Sequence, residues 1–294
     1  MGSTEGAPGA AGPLAEIRLT AEHISGCVAL SAEARWNQTA DDWGTMLALG
    51  EGFGLMNAKG TLVATSLALP FSTGGFGWIS MVLVTESHRR QGLATRLMES
   101  AMAALSARGL VAILDATPAG REVYRLLGFE DTWGIERMQC LDKPVLPPAP
   151  RIEVRRMTGA DWEAVCALDE QAFRADREEL IGALRARLPQ AALVAGKPGQ
   201  VEGFLLGRDG RIANDLGPCV AASEDTAIAL MAAALKGVSA PVFLDMPAEH
   251  VALGAWLRQA GFTLQRPYTR MVLNRREPFN DVTRLFAIAG PELG

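Results

Sequence analysis

Between Trp78 and Ala94 the chain has to pass from strand to helix in a few residues, and this passage limits the folds open to it more than any other stretch. Ile79, Met81, Val82, Leu83 and Val84 form an apolar run too short for a helix, bounded by polar residues from Thr85 to His88. Leu93, Leu97, Ala101, Ala104 and Leu105 then recur at three- and four-residue spacing, which predicts a helix, and Gly109 stands where a left-handed C-terminal cap belongs. Gly92 therefore opens a helix packed on a strand. Such a junction points backbone N–H groups and a helix N-terminus at one spot, where a phosphate can sit. Gly92 has no Cβ to keep a diphosphate away from the backbone, Ala94 keeps the first turn narrow, and Arg89 and Arg90 add positive charge.

A glycine followed by a small residue at a helix start also serves plain packing, so a second feature matters. Another apolar strand, Leu110 to Leu114, is followed by Asp115-Ala116-Thr117-Pro118-Ala119-Gly120 and then by Tyr124-Arg125-Leu126-Leu127-Gly128-Phe129. Arg89, Gly92 and Ala94 fit the pattern Arg/Gln-x-x-Gly-x-Gly/Ala, and Tyr124, Gly128 and Phe129 fit Tyr-x-x-x-Gly-Phe, in that order. On these motifs residues 15–141 resemble the GCN5-related N-acetyltransferase (GNAT) superfamily.

The resemblance implies an α/β (α+β) fold of two tandem GNAT-like domains, each a central mixed, mostly antiparallel sheet flanked by helices. It implies acetyl-CoA as cosubstrate, bound by Val82, Leu83 and Val84 through their backbone and by Arg89, Arg90, Gln91, Gly92, Leu93, Ala94 and Thr95 around the helix mouth. Backbone pairing along the strand would hold the pantetheine arm, and splayed fourth and fifth strands would place the thioester carbonyl beside an N–H able to stabilise an oxyanion.

The tandem arrangement rests on an internal repeat. Pro144, Pro147, Pro148 and Pro150 crowd a segment that suits neither helix nor central strand, which predicts a linker over 142–150. On either side the halves echo one another. Leu114-Asp115, Pro118 and Gly128-Phe129 correspond to Leu244-Asp245, Pro247 and Gly261-Phe262, each followed by a strand containing methionine. The expected organisation is a disordered lead-in over 1–14, a catalytic domain over 15–141, the linker, a degenerate copy over 151–275 and a docking tail over 276–294.

In the second copy Leu257 takes the place of Tyr124, and Gly217-Pro218-Cys219-Val220-Ala221-Ala222-Ser223 is read as the phosphate turn without its motif. That copy is expected to be structural, completing an acceptor pocket or forming a homodimer surface. The tail holds the apolar run Leu285 to Pro291, which should pack against the first domain or across the interface.

Catalytic roles follow from what a thioester needs. Tyr124 is the candidate general acid, offering a proton or hydrogen bond to the departing thiolate. Asp115, at the end of a strand, is the candidate base, with Glu86 second. Because Asp245 repeats Asp115 in the inactive copy, a shared structural task competes with that role. Trp36, Asn37 and Gln38 are candidate contacts to the amine, although Thr39 and Asp42 make the same loop a capping-box helix start. Phe71 to Gly77 is a candidate flexible wall, and His23 and His250 read as helix-surface residues.

A net charge of −5 argues against nucleic acid as a partner, and no segment reads as a membrane span or signal peptide, which points to the cytoplasm. Cys27, Cys140, Cys166 and Cys219 lack metal-like spacing, so they read as reduced thiols and no metal site is expected. Two readings stay open: an acyl-CoA-dependent N-acyltransferase acting on a small-molecule or peptide amine, and a non-catalytic acyl-CoA binding or sensing module.

Overall fold

The computed structural model describes residues 13–294, so the expectation for residues 1–14 falls almost wholly outside the described residues. The first half runs β1 (Ala15–Leu19), α1 (Ile24–Glu33), α2 (Ala40–Leu49), β2 (Glu51–Met56), β3 (Leu62–Phe71), β4 (Phe76–Val84), α3 (Leu93–Ser106), β5 (Val111–Ala116), α4 (Pro118–Leu126) and β6 (Phe129–Cys140). After an irregular stretch the second half repeats that order as β7 (Val154–Arg156), α5 (Trp162–Phe173), α6 (Glu178–Arg187), β8 (Leu193–Ala195), β9 (Gly203–Arg208), β10 (Asn214–Ala221), α7 (Glu224–Gly237), β11 (Val242–Pro247), α8 (Val251–Gln259) and β12 (Thr263–Leu273). A short strand, β13 (Leu285–Ala287), follows.

All of these strands belong to one 13-stranded sheet of order β1-β2-β3-β4-β5-β12-β6-β11-β10-β9-β8-β7, with β13 on β10. The order reads the same from both ends when each strand is exchanged for its counterpart. Its centre is a strand exchange: β12 lies between β5 and β6, and β6 lies between β12 and β11. The two domains therefore share a continuous sheet, and one hydrophobic cluster draws on Leu67, Trp78 and Ile113 from the first half with Val165, Phe173 and Phe204 from the second.

The exchange explains the repeated aspartates. Arg137 on β6 donates to both carboxylate oxygens of Asp245 on β11 at 2.8 and 2.7 Å, and Arg270 on β12 donates to both of Asp115 on β5 at 2.8 Å each. Each arginine crosses to the other half's aspartate. Removing such charges from water is costly unless they are paired, and these pairs are buried and bidentate.

The hairpin joining β3 to β4 packs on the second half and contributes no residue to the cavity that holds Tyr124. Phe71 and Phe76 meet Phe173 at 4.8 and 5.5 Å between centroids, Phe76 also meets Phe279 at 4.9 Å, and the Asp176 amide donates to Thr73 at 2.8 Å. Aromatic contacts of this kind bury apolar area in tilted, edge-on geometry, and they anchor the hairpin to the second half.

Candidate active site

The β4–α3 junction has the geometry its sequence predicts. Helix α3 begins after Gly92, whose φ is 75°, and Gly109 is left-handed at φ 70° just beyond the helix. Arg90 is also left-handed, at φ 60°. Gly92 supplies no capping side chain, so the N–H groups of the first turn face outward uncapped, and a Cβ built on Gly92 would meet nothing within 4 Å. Space and donors coincide at the mouth. Arg90 and Gln91 are exposed, while Arg89 folds back to donate to the Val84 carbonyl at 3.1 Å. Glu33 on α1 fixes the start of the turn by accepting from Thr85 Oγ1 and the Glu86 amide. Glu86 itself is exposed and outside the cavity described next.

Strand β4 pairs with β5 only from Phe76 to Trp78; from Ile79 onward that edge has no strand partner among the described residues. Leu83 turns its side chain into the core, so only its backbone can face a ligand, whereas Val82 and Val84 are half-buried. Where the strands part lies a cavity of about 90 Å³. Ile79 to Val82, Leu114, Asp115, Thr117 and Tyr124 form its walls, Trp36 and Gln38 overhang it, and Arg137, Tyr268, Pro291 and Glu292 close the back. The chain has two tyrosines, and both line this cavity.

Tyr124 sits on α4, which Thr117 caps by accepting from the Gly120 amide at 3.2 Å. Burial pushes the Tyr124 phenol up to about 12, so it remains protonated at neutral pH and has a proton to donate in a hydrogen bond. Two salt bridges steady the helix: Arg121 and Arg125 both reach Asp131 on β6 and hold that carboxyl down at about 2.

Two candidates change role. Asp115 does line the cavity, but both of its oxygens are held by Arg270, whose guanidinium is stacked between Trp78 and Trp133 at 4.3 and 4.2 Å. Burial pushes the Asp115 carboxyl above its ordinary range, and the attraction of Arg270 opposes that shift without cancelling it. A carboxylate engaged in this way is not a free base. Asn37 is turned out of the cavity. Its Nδ2 donates to Ala213 O at 2.9 Å and Asp215 Oδ2 at 2.7 Å, and its Oδ1 accepts from the amides of Ile212 and Ala213 at 2.8 and 3.1 Å. It clamps the α1–α2 loop to the second half, and Arg211 adds two bonds to the Trp36 carbonyl. Trp36 and Gln38 are held over the cavity by that clamp.

The second half has no equivalent mouth. Gly217 to Ala221 lie within β10, and only Ala222 and Ser223 separate that strand from α7. Ser223 caps α7 by accepting from the Thr226 amide at 3.2 Å, which satisfies a donor that a phosphate would otherwise use. The gap between β10 and β11 is filled by the chain's own tail. Strand β13 pairs antiparallel with β10 at Cys219 and Val220, and the Ile288 amide donates to Asp245 O at 2.9 Å. A Cβ at Gly217 would lie 2.0 Å from Ile288 O, so glycine is required for this approach. His250, expected on the surface, is buried: its Nε2 lies 3.0 Å from the carbonyls of Val282 and Leu285, and its ring meets Phe286 at 4.2 Å. The tail then reaches the first half, where Trp78 Nε1 donates to Pro291 O at 3.0 Å.

Comparison with known proteins agrees with this architecture. Residues 22–129 match the Acetyltransferase (GNAT) family profile and residues 165–287 match an Acetyltransferase (GNAT) domain profile. The chain belongs to the GNAT superfamily, with two GNAT domains in tandem. The uncharacterized N-acetyltransferase YitH of Bacillus subtilis (strain 168) is 24% identical over 279 residues, covering 95% of this chain and 98% of that protein. The structure is similar to that of a candidate acetyltransferase from Pyrococcus horikoshii, with TM-score 0.76, 18% identity and 96% of each chain covered. It also resembles a tandem GNAT protein from the clavulanic acid biosynthesis pathway, with TM-score 0.61, 14% identity, and 88% of this chain and 98% of that one covered. No helix among the described residues is long and apolar enough to cross a membrane.

Proposed function

We propose that this protein is an acyl-CoA-dependent N-acyltransferase that moves acetyl from acetyl-CoA to a primary amine of a small molecule or peptide by direct attack in a ternary complex. The observation that carries this reading is the continuity of three features on one face: the uncapped mouth at Gly92, the free edge of β4 from Ile79, and the cavity holding Tyr124 where β4 and β5 part. The mouth suits a diphosphate, the strand edge suits an amide-bearing arm, and the cavity suits the thioester with its acceptor. The chemistry is confined to the first half. In the second half Ser223 caps the helix and β13 occupies the gap, so the same cosubstrate has no place there.

Juxtaposition of the reactants supplies much of the acceleration. The backbone of the β4 edge would position the thioester carbonyl, and Tyr124 would donate to the sulfur as the C–S bond breaks. An ordinary thiol has a pKa of about 8.5, so complete proton transfer from a phenol near 12 runs uphill unless the phenol is reprotonated in the same step. Tyr124 is therefore assigned as a hydrogen-bond donor or relay. A screen of primary amines with acetyl-CoA, reading release of free thiol, tests the activity, and calorimetry with acetyl-CoA alone tests the binding. Acetyl-CoA binding without thiol release on any amine would refute the transferase reading.

A further inference from the structure

Resting on that reading, we propose that Glu292, carried into the first half's cavity by the tail, is the residue that binds the acceptor's ammonium group and takes its proton. Asp115 is engaged at both oxygens by Arg270. Glu292 differs. It lines the cavity with Tyr124 and is 4% exposed; Oε1 is held by Arg208, and Oε2 has no hydrogen-bond partner among the described residues.

The surrounding charge favours a cation. Arg208 is shared by three buried carboxylates, Asp42 at 3.6 Å, Asp215 at 3.0 Å and Glu292 in contact. Arg187 is the second cation of this cluster, and it is divided between Asp42 and the exposed Asp209. Four carboxylates, three of them buried, face two guanidiniums, so the cluster carries a surplus negative charge whose buried part is shielded from water, where pairing is needed most. A bound ammonium would balance it.

Two neutral groups in the same cavity point to the same ligand. Gln38 Oε1 and Ser80 Oγ are buried with no hydrogen-bond partner, although nearly all such atoms in folded proteins have one. With Glu292 these residues give the cavity lining three acceptor-bearing side chains, the same number as the N–H donors of a primary ammonium.

The proton balance follows. Glu292 takes one proton from the ammonium, leaving the amine lone pair free to form the C–N bond with the thioester carbonyl. The adduct's remaining surplus N–H proton passes through the Tyr124 hydroxyl to the sulfur as the C–S bond breaks. Amide and thiol are released, and the proton on Glu292 returns to solvent.

Ethylammonium, small enough for the cavity, is the probe, with ethanol as its neutral control; binding is read by titration calorimetry. The wild-type protein should bind ethylammonium saturably and ethanol not at all, and Glu292→Gln should weaken ethylammonium at least tenfold. In acetyl transfer the same variant should lose at least 100-fold in kcat/KM for the amine with acetyl-CoA affinity within twofold of wild type. Because Glu292→Gln disturbs Arg208, Gln38→Leu is the companion variant; it deletes an atom without a partner, so it should keep its Tm while weakening ethylammonium. Absence of saturable binding in wild type, or equal binding in Glu292→Gln, overturns the assignment. Glu292-dependent ethylammonium binding with no amine acetylated would uphold the ammonium site but refute the transferase reading and, with it, the proton-taking role of Glu292.

Discussion

Replacing Asp115 with Asn separates a structural carboxylate from a catalytic one. In the folded protein both Asp115 oxygens accept from Arg270, whose third nitrogen, NH1, donates to Asn280 Oδ1 at 2.7 Å. The side chains of Asp115 and Arg270 are 0% and 1% exposed. Asparagine retains one acceptor, turns an NH2 donor toward the guanidinium, and leaves a full positive charge between Trp78 and Trp133 with no counter-ion. Breaking a buried pair from one side costs about 3–5 kcal/mol. At roughly 2–4 °C per kcal/mol for chains of a few hundred residues, Tm should fall on the order of 10 °C. Thermal unfolding by circular dichroism measures the loss. Turnover at 20 °C, well below the transition, should stay within about threefold of wild type if the pair is structural. Asp115→Leu with Arg270→Met should recover most of the stability, since a well-packed apolar pair can replace a buried ion pair. The reasoning is refuted if Asp115→Asn keeps its Tm within a degree and loses turnover by 100-fold, which is how a general base behaves.

Three further outcomes are expected. Tyr124→Phe should lower kcat by about 10- to 100-fold at saturating substrates, and wild-type activity should persist through pH 10, because the phenol must be protonated and burial has moved its titration up to about 12; a pH–rate profile of both proteins measures this. Asp131→Asn should destabilise the protein by about 1 kcal/mol at pH 7, discounting for partial exposure. The Asp131 carboxyl is lowered to about 2, so its contribution is complete above the ordinary value near 4 and is lost as pH falls through 2; urea midpoints of variant and wild type should converge over that window. Asn37→Ala removes four hydrogen bonds between the α1–α2 loop and the second half, and should cost about 2–3 kcal/mol while raising the amine KM and leaving acetyl-CoA affinity unchanged by calorimetry.

The part of the site legible in the sequence is the part built from local rules. Gly92 and Gly109 bracket a helix whose apolar spacing shows its buried face, and the left-handed backbone they adopt is a property of the residue itself. The Thr39–Asp42 capping box is likewise written in adjacent residues and forms as read. The partners of Asp115 and Asn37 are not local. Arg270 lies 155 positions from Asp115, and Asp215 lies 178 positions from Asn37. A signal for the first pair was nonetheless present: Arg137-Met138 and Arg270-Met271 stand at the same distance after Gly128-Phe129 and Gly261-Phe262, so the repeat carries an arginine for each repeated aspartate. Its meaning depends on strand exchange, which no residue pattern within either half specifies.

The tail also accounts for the difference between the two halves at the gap between their fourth and fifth strands. In each half the fourth and fifth strands pair over only a few residues and then part, and an unpaired strand edge in that gap must be satisfied by something. In the first half the edge of β4 from Ile79 stays open to a cavity. In the second, β13 pairs with β10, and Gly217 allows the close approach of Ile288. Having filled one gap, the tail reaches the other only three residues later, where the Pro291 carbonyl meets Trp78 and the Glu292 side chain closes the cavity. Occupation of the gap in the second copy and lining of the cavity in the first are two effects of one segment. A change that frees β13, such as Gly217→Val, should therefore damage amine acetylation in the first half as well as packing in the second, although it lies outside the site itself.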